Sequence, residues 1–241
     1  TLAGAGRGSL IKFANIDGQT KNMITNSDTT ATSKGVTVRD LQLDGNWSGV
    51  NTTGTIHGIY MNALGGGSGA SARQGPTILN TWVVNFLSNG IFLNNSPNGT
   101  LSGNNVEGGG GNGIYLSSSN RVTVTGNTSQ GNAGSGILLS GNVATTVTGN
   151  VSAVNGTAGI YVNGGSNNNT ISGNNLYNNG GGTANNSIFL PSGASADFNT
   201  ITNNTINDTS GTTTNYAINI LDSGSDKNYL SGKVFTSTAG S

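Results

Sequence analysis

Asp40, Asp44 and His57, with Arg73, could begin to do chemistry together, and Glu107 is a separate candidate. Two carboxylates flanking one bond are what glycoside hydrolysis requires. A carboxylate beside an imidazole makes a general acid–base pair. Asp40 and Asp44, four residues apart and followed by the single His57, are the candidates for either arrangement. If the chain winds into stacked coils, Arg39 and Asp40 should sit one coil from His57, with Arg73 as a further member. Glu107 is a lone carboxylate beside Gly108-Gly109-Gly110-Gly111. Each also has a simpler structural reading, which ranks ahead. Asp40 and Asp44 would end a strand and accept hydrogen bonds from turn amides. His57 would be a surface residue at a strand start, and Glu107 a solvated side chain.

The rest of the chain offers little support for catalysis. Only 7% of its 241 residues are charged and the net charge is zero. Nine charges lie within residues 1–44 and six from Asp197 onward, with Arg73, Glu107 and Arg121 alone between them. The central segment therefore cannot assemble a carboxylate pair or a multi-aspartate cation cage. No Gly-x-Ser-x-Gly elbow is present, which leaves a serine hydrolase unsupported. Gly4-Ala5-Gly6-Arg7-Gly8 superficially suggests a phosphate loop, but no helix follows it. No metal site and no cofactor are expected. With no basic patch, nucleic acid is not an expected partner. No apolar run approaches the roughly 18 residues of a membrane span. No leader segment is recognisable, so the chain reads as a mature or excised piece.

What must position these groups is a repeat. Gly113-Ile114-Tyr115-Leu116 returns as Gly136-Ile137-Leu138-Leu139 and as Gly159-Ile160-Tyr161-Val162, each 23 residues on. Gly90-Ile91-Phe92-Leu93 lies 23 residues upstream, and Gly58-Ile59-Tyr60-Met61 a further 32. Ser187-Ile188-Phe189-Leu190 and Ala217-Ile218-Asn219-Ile220 follow after 28 and 30. A second motif keeps phase with the first: Leu101-Ser102-Gly103-Asn104, Val124-Thr125-Gly126-Asn127, Val147-Thr148-Gly149-Asn150 and Ile171-Ser172-Gly173-Asn174, with a degenerate copy ending at Asn204. A third apolar position is read at Val106, Val151, Leu176, Ile206 and Val234. Three short strands per coil of about 23–30 residues, divided by Gly/Asn turns, fit this spacing. The expected fold is all-β, a parallel β-helix forming one domain over 1–241. Residues 1–50 would form N-terminal coils, 51–235 the regular coils and 236–241 a tail.

Strand periodicity points the Ile and Leu of each Gly-Ile-aromatic-Leu motif inward and the middle residue outward. Like residues then stack coil on coil. Asn104, Asn127, Asn150, Asn174 and Asn204 are expected to form a turn ladder. The outward row Tyr60, Phe92, Tyr115, Leu138, Tyr161 and Phe189 forms a continuous apolar stripe. Such a stripe is a track for stacking sugar rings, an interface with another subunit, or a ladder that stabilises itself.

The motifs Gly-Ile-Tyr-Leu and Thr-x-Thr-Gly-Asn resemble the repeat of the pectate-lyase-like right-handed β-helix superfamily. Thr1–Ile11 resembles the first coil of its polysaccharide-lyase and phage-tailspike branch, and Val36–Gly45 the next. The resemblance implies a right-handed coil and a polysaccharide or glycan partner. It leaves activity open, because this fold hosts lyases, hydrolases, epimerases, adhesins and passive spikes. The paired aspartates with Gly-His-Gly of the polygalacturonase type are missing, Ile56-His57-Gly58 being a faint echo, and so is the epimerase-type Asp-Pro-His.

The expected protein is an extracellular, cell-surface or virion-surface β-helix that binds polysaccharide or assembles as a spike or fibre. The alternatives are a polysaccharide-degrading lyase or glycosidase with its site in the N-terminal coils or between subunits, and a purely structural filament subunit. No helix is read at either end to cap the solenoid, so a homo-oligomer is expected, either a trimer or an end-to-end fibre. Sequons begin at Asn46, Asn98, Asn127, Asn150 and Asn155, so the chain could be a glycoprotein.

Overall fold

The computed structural model describes residues 1–14, 18–27, 35–47, 51–64, 74–181, 185–208, 215–221, 223–224, 226–232 and 234–237. Arg73 and Lys233 lie outside them, as do the acidic residues Asp17, Asp28 and Asp222.

Among the described residues every regular element is a β-strand, and the strands fall into three parallel sheets of nine, nine and eight. The first sheet runs from Leu2–Ala3 to Tyr229–Ser231, the second from Leu10–Lys12 to Val234–Ser237, and the third from Thr20–Thr25 to Asn215–Ile220. Each strand pairs with its counterparts one coil before and one coil after, so consecutive strands in the chain never pair. This is a three-sided parallel β-helix. The last described strand ends at Ser237.

The register explains why the repeat looks as it does. Ile114 pairs with Ile91 and Ile137, and Leu116 with Leu93 and Leu139. Ile59, Ile91, Ile114, Ile137, Ile160 and Ile188 thus form one internal column, each 0% exposed. Met61, Leu93, Leu116, Leu139, Val162 and Leu190 form a second, equally buried. Val38, Ile78, Leu101, Val124, Val147, Ile171 and Ile201 supply the column of the first sheet. Each such side chain contributes about 1.5–3 kcal/mol by leaving water. In the last described strand of the third sheet Ile218 is only half-buried and Ile220 is 36% exposed.

The second sheet corrects the third apolar position read from sequence. Val106 pairs with Ser129, Ser129 with Ser152, and Ser152 with Leu176 and then Ile206. The inward residue is the middle one of each three-residue strand, so Val151 points outward beside Thr128 and Asn175. Likewise Phe235, not Val234, is in register with Ile206. Two serines therefore sit in the core, and each hydroxyl is satisfied. Ser129 donates to the Gly136 carbonyl at 2.8 Å, and Ser152 to the Gly159 carbonyl at 2.9 Å. A Cβ on Gly113 or Gly136 would collide with the Oγ of Ser129 or Ser152, and one on Gly58 or Gly90 with Val83 or Val106. In these four coils glycine opens the motif because the backbone passes directly over the second sheet's inward side chain.

At the corner between the first and second sheets Asp40, Asn80, Gly103, Gly126, Gly149, Gly173, Asn203 and Gly232 all have positive φ. Gly, Asn and Asp tolerate this region best. Asp40 is thereby identified as a turn residue, one member of a series otherwise filled by Gly and Asn.

Candidate functional site

The candidate acid–base residues have separate surroundings. Asp40 lies at the first corner, where it accepts from the Asn80 amide at 3.3 Å and lies 3.6 Å from the Arg39 guanidinium. Asp44 ends a strand of the second sheet. It accepts from the Asn46 backbone N–H at 2.8 Å and the Asn85 amide at 3.1 Å, and Lys12 Nζ lies 3.2 Å away. Burial raises the Asp44 pKa, but these donors and the Lys12 charge together hold it below the usual 3.8. Both Glu107 oxygens are taken, one by the Trp82 indole N–H at 2.6 Å and the other by Gln130 at 2.7 Å.

His57 belongs to the third sheet, not to the surroundings of Asp40. Its strand neighbour is Asn22, and its Nδ1 accepts from the Asn89 backbone N–H at 3.1 Å. The expected juxtaposition of Arg39 and Asp40 with His57 fails because the two segments occupy different sides of the coil. Burial pushes the imidazole below its ordinary pKa of 6.5. Asp40, Asp44, His57 and Glu107 share no hydrogen bond or ion pair with one another. No three His, Asp or Glu side chains gather among the described residues.

His57 instead joins the row of rings on the outer face of the third sheet. Its ring lies 5.6 Å from Tyr60 and 5.3 Å from Phe92. Tyr60 and Phe92 are 5.0 Å apart, and Phe92 and Tyr115 stack face to face at 4.5 Å and 4°. Pairing then places Leu138 between Tyr115 and Tyr161, and Tyr161 meets Phe189 edge-on at 5.2 Å. All six members of the row are half-buried. Burial raises the Tyr161 pKa above 10.0, so its phenol stays neutral. Where Leu138 interrupts the rings the surface forms a recess of about 290 Å³. On one flank of the row stand Asn62, Asn94, Ser117, Ser140 and Asn163, in register with one another and uncharged.

The corners hold this face in place through buried amides. Asn127 Nδ2 donates to Asn150 Oδ1 at 3.0 Å and to the Leu101 carbonyl at 2.9 Å, while its Oδ1 accepts from the Asn104 backbone and side chain. The chain of bonds continues from Asn150 to Asn174 and Asn204, and from Asn104 to Thr81. Further ladders went unread in the sequence. Asn132, Asn155 and Asn179 line the corner between the second and third sheets. Ser96, Ser119, Asn142 and Ser166 form another after the third sheet. Thr145, Asn169 and Asn199 precede the first sheet. Their recurrence at 23 to 30 residues was the available signal. Of the sequon asparagines, Asn127, Asn150 and Asn155 are at most 1% exposed and cannot present their amides to a glycosyltransferase.

Comparison with known proteins agrees with this geometry. The periplasmic alginate epimerase AlgG superposes with a TM-score of 0.65 at 14% identity, over 89% of this chain and 55% of its own. This chain thus spans about half the length of that enzyme. A DFA-IIIase from Arthrobacter chlorophenolicus A6 matches with a TM-score of 0.52 at 14% identity, over 94% of this chain and 66% of its own. The A-module of a mannuronan C-5 epimerase from Azotobacter vinelandii matches with a TM-score of 0.50 at 20% identity, over 100% and 83%. At these identities the likeness is one of fold. No curated protein matches the sequence. The family model described as right handed beta helix region matches residues 57–235, and the chain belongs to that family.

Proposed function

We propose that this protein is an extracellular or virion-surface β-helix that binds a polysaccharide on the outer face of its third sheet and does not cleave it. The observation that carries this reading is the row from Tyr60 to Phe189, five half-buried rings and Leu138 in register on successive coils with an uncharged polar flank. Sugar rings present C–H faces that pack on aromatic faces, while their hydroxyls need neutral hydrogen-bond partners at the edge. Solved proteins of the same fold include an alginate epimerase, which lends the glycan reading support. The separation of Asp40, Asp44, His57 and Glu107 supports binding over hydrolysis, since two carboxylates flanking one bond are required for the latter.

The test is incubation with a panel of acidic and neutral polysaccharides, following co-elution and polymer length together. Co-elution at constant length is expected, weakened at least tenfold in Phe92→Ala and Tyr161→Ala variants whose melting remains cooperative. Shortening of any polymer overturns the non-catalytic reading. Absence of binding, combined with ordered oligomers that the same substitutions dissolve, would assign the row to self-assembly instead.

A further inference from the structure

We infer that the row contains one discrete subsite, at Leu138, that takes a single uncharged hexopyranose ring between Tyr115 and Tyr161. The inference rests on the glycan reading above and narrows it to a ligand class and a place. Tyr115 and Tyr161 both pair with Leu138 and so stand two coils apart, about 9.6 Å at a strand spacing of about 4.8 Å. A ring packed on both sides at carbon contact distances of about 3.5–4.0 Å needs roughly 7–8 Å between the flanking planes. Phe92 already covers one face of Tyr115, stacked at 4.5 Å, so the opposite face is the one turned toward Leu138. The recess of about 290 Å³ is at the small end of ligand sites, which suits one sugar rather than a run of them. The ligand ring supplies the plate that Leu138 leaves out of the stack.

The rim defines the ligand's chemistry. The hydroxyls of Ser135, Ser140 and Thr157 line the recess and make no hydrogen bond to any described residue. Asn163 Oδ1 accepts from the Gly164 N–H, and its amide nitrogen makes no hydrogen bond to any described residue. These are donors and acceptors without charge, suited to sugar hydroxyls. Between Gln74 and Ala196 the only charged residues are Glu107 and Arg121. Glu107 is held by Trp82 and Gln130 on the second sheet, and Arg121 donates to Asn98 at a corner. A uronate carboxylate entering the recess would lose water and meet no cation among the described residues that line it.

The experiment titrates the full chain with neutral hexasaccharides of glucose, mannose and galactose, and with a hexuronate of the same length, following tyrosine fluorescence and heat. At least one neutral oligomer should bind, and the hexuronate at least tenfold more weakly. Leu138→Phe, which completes the stack and fills the recess, should reduce that binding at least tenfold. Val143→Ala, at an exposed position outside the recess, should retain it within about threefold. Unchanged or tighter binding by Leu138→Phe overturns the subsite while leaving a continuous aromatic track intact. Preference for the hexuronate overturns the ligand class. No binding of any oligomer by the native chain, with Phe92→Ala equally silent on polymers, overturns the glycan reading itself.

Discussion

Replacing Asn127 by alanine should be among the most damaging single changes in the central coils. The side chain is 1% exposed and makes four hydrogen bonds. In the alanine variant Asn150 Oδ1 keeps the Asn127 backbone N–H, and Asn104 Nδ2 keeps the Ile78 carbonyl. The Asn104 backbone N–H loses its partner and the Leu101 carbonyl loses the Asn127 amide, both at a buried corner. The Leu101 carbonyl keeps its place in the strand pairing to Val124, so the orphaned Asn104 N–H dominates, and a buried polar group left without a partner costs about 1–3 kcal/mol. Asn127→Asp should be worse at pH 7, because a carboxylate cannot donate and would face the Leu101 carbonyl and Asn150 Oδ1 with a charge. The measurements are urea denaturation and amide exchange resolved by residue, since a solenoid need not unfold in one step. Exchange of the Asn104 amide should accelerate first. A loss below about 0.5 kcal/mol, within the range of ordinary surface substitutions, with Asn104 protection unchanged, would refute the claim that the ladder supports the corner.

Three other outcomes follow from named contacts. Gly113→Ala should cost about 1–3 kcal/mol by overpacking, because its Cβ would strike Ser129 Oγ and approach the Gly136 carbonyl; a variant with native melting would show that the coil can shift to admit it. His57 is neutral in the fold with a depressed pKa, so its contribution is fully present above the unfolded value of about 6.5 and is lost as pH falls through the folded value. His57→Asn should remove that limb from a pH–stability profile, leaving the separate loss below about pH 3.9 expected from Asp44. Val154 is 57% exposed with φ of 54°, a costly setting for a β-branched residue, so Val154→Gly should raise the melting midpoint by a few degrees, equivalent to about 1 kcal/mol. No change there would mean that the corner backbone relaxes around valine without strain.

How far the sequence could be read depended on whether a residue travelled with a fixed neighbour. Ile114, Leu116 and Tyr115 recur inside one tetrapeptide, so the repeat alone made their coil, side and direction legible. Asn127 recurs beside Gly126, and its corner was equally plain. Asn132 and Asn155 have the same spacing but no constant neighbours, and in so asparagine-rich a chain their ladder was hidden. Ser152 was missed for a different reason. Val151 beside it is more apolar, and choosing the core position by hydropathy moved the register by one residue, which reverses every side chain of a strand. The expected meeting of Asp40 with His57 failed because repeat arithmetic counts coils along the axis. Whether two residues share a side of the coil depends on phase within it, and the irregular 32-residue step before Gly90 obscured that phase.

Because each coil pairs in register with the next at a constant 23 residues from Ile91 to Ile160, the molecule is also a ruler. A duplicated block such as 113–135 would enter between equivalent neighbours, inherit the same corners and buried amides, and lengthen the solenoid by about 4.8 Å. Length in such a protein is a genetic variable that can change in whole units without new contacts being invented. Each added unit would also carry one more residue into the outer row, so reach along the axis and the number of ring positions on that face would grow together.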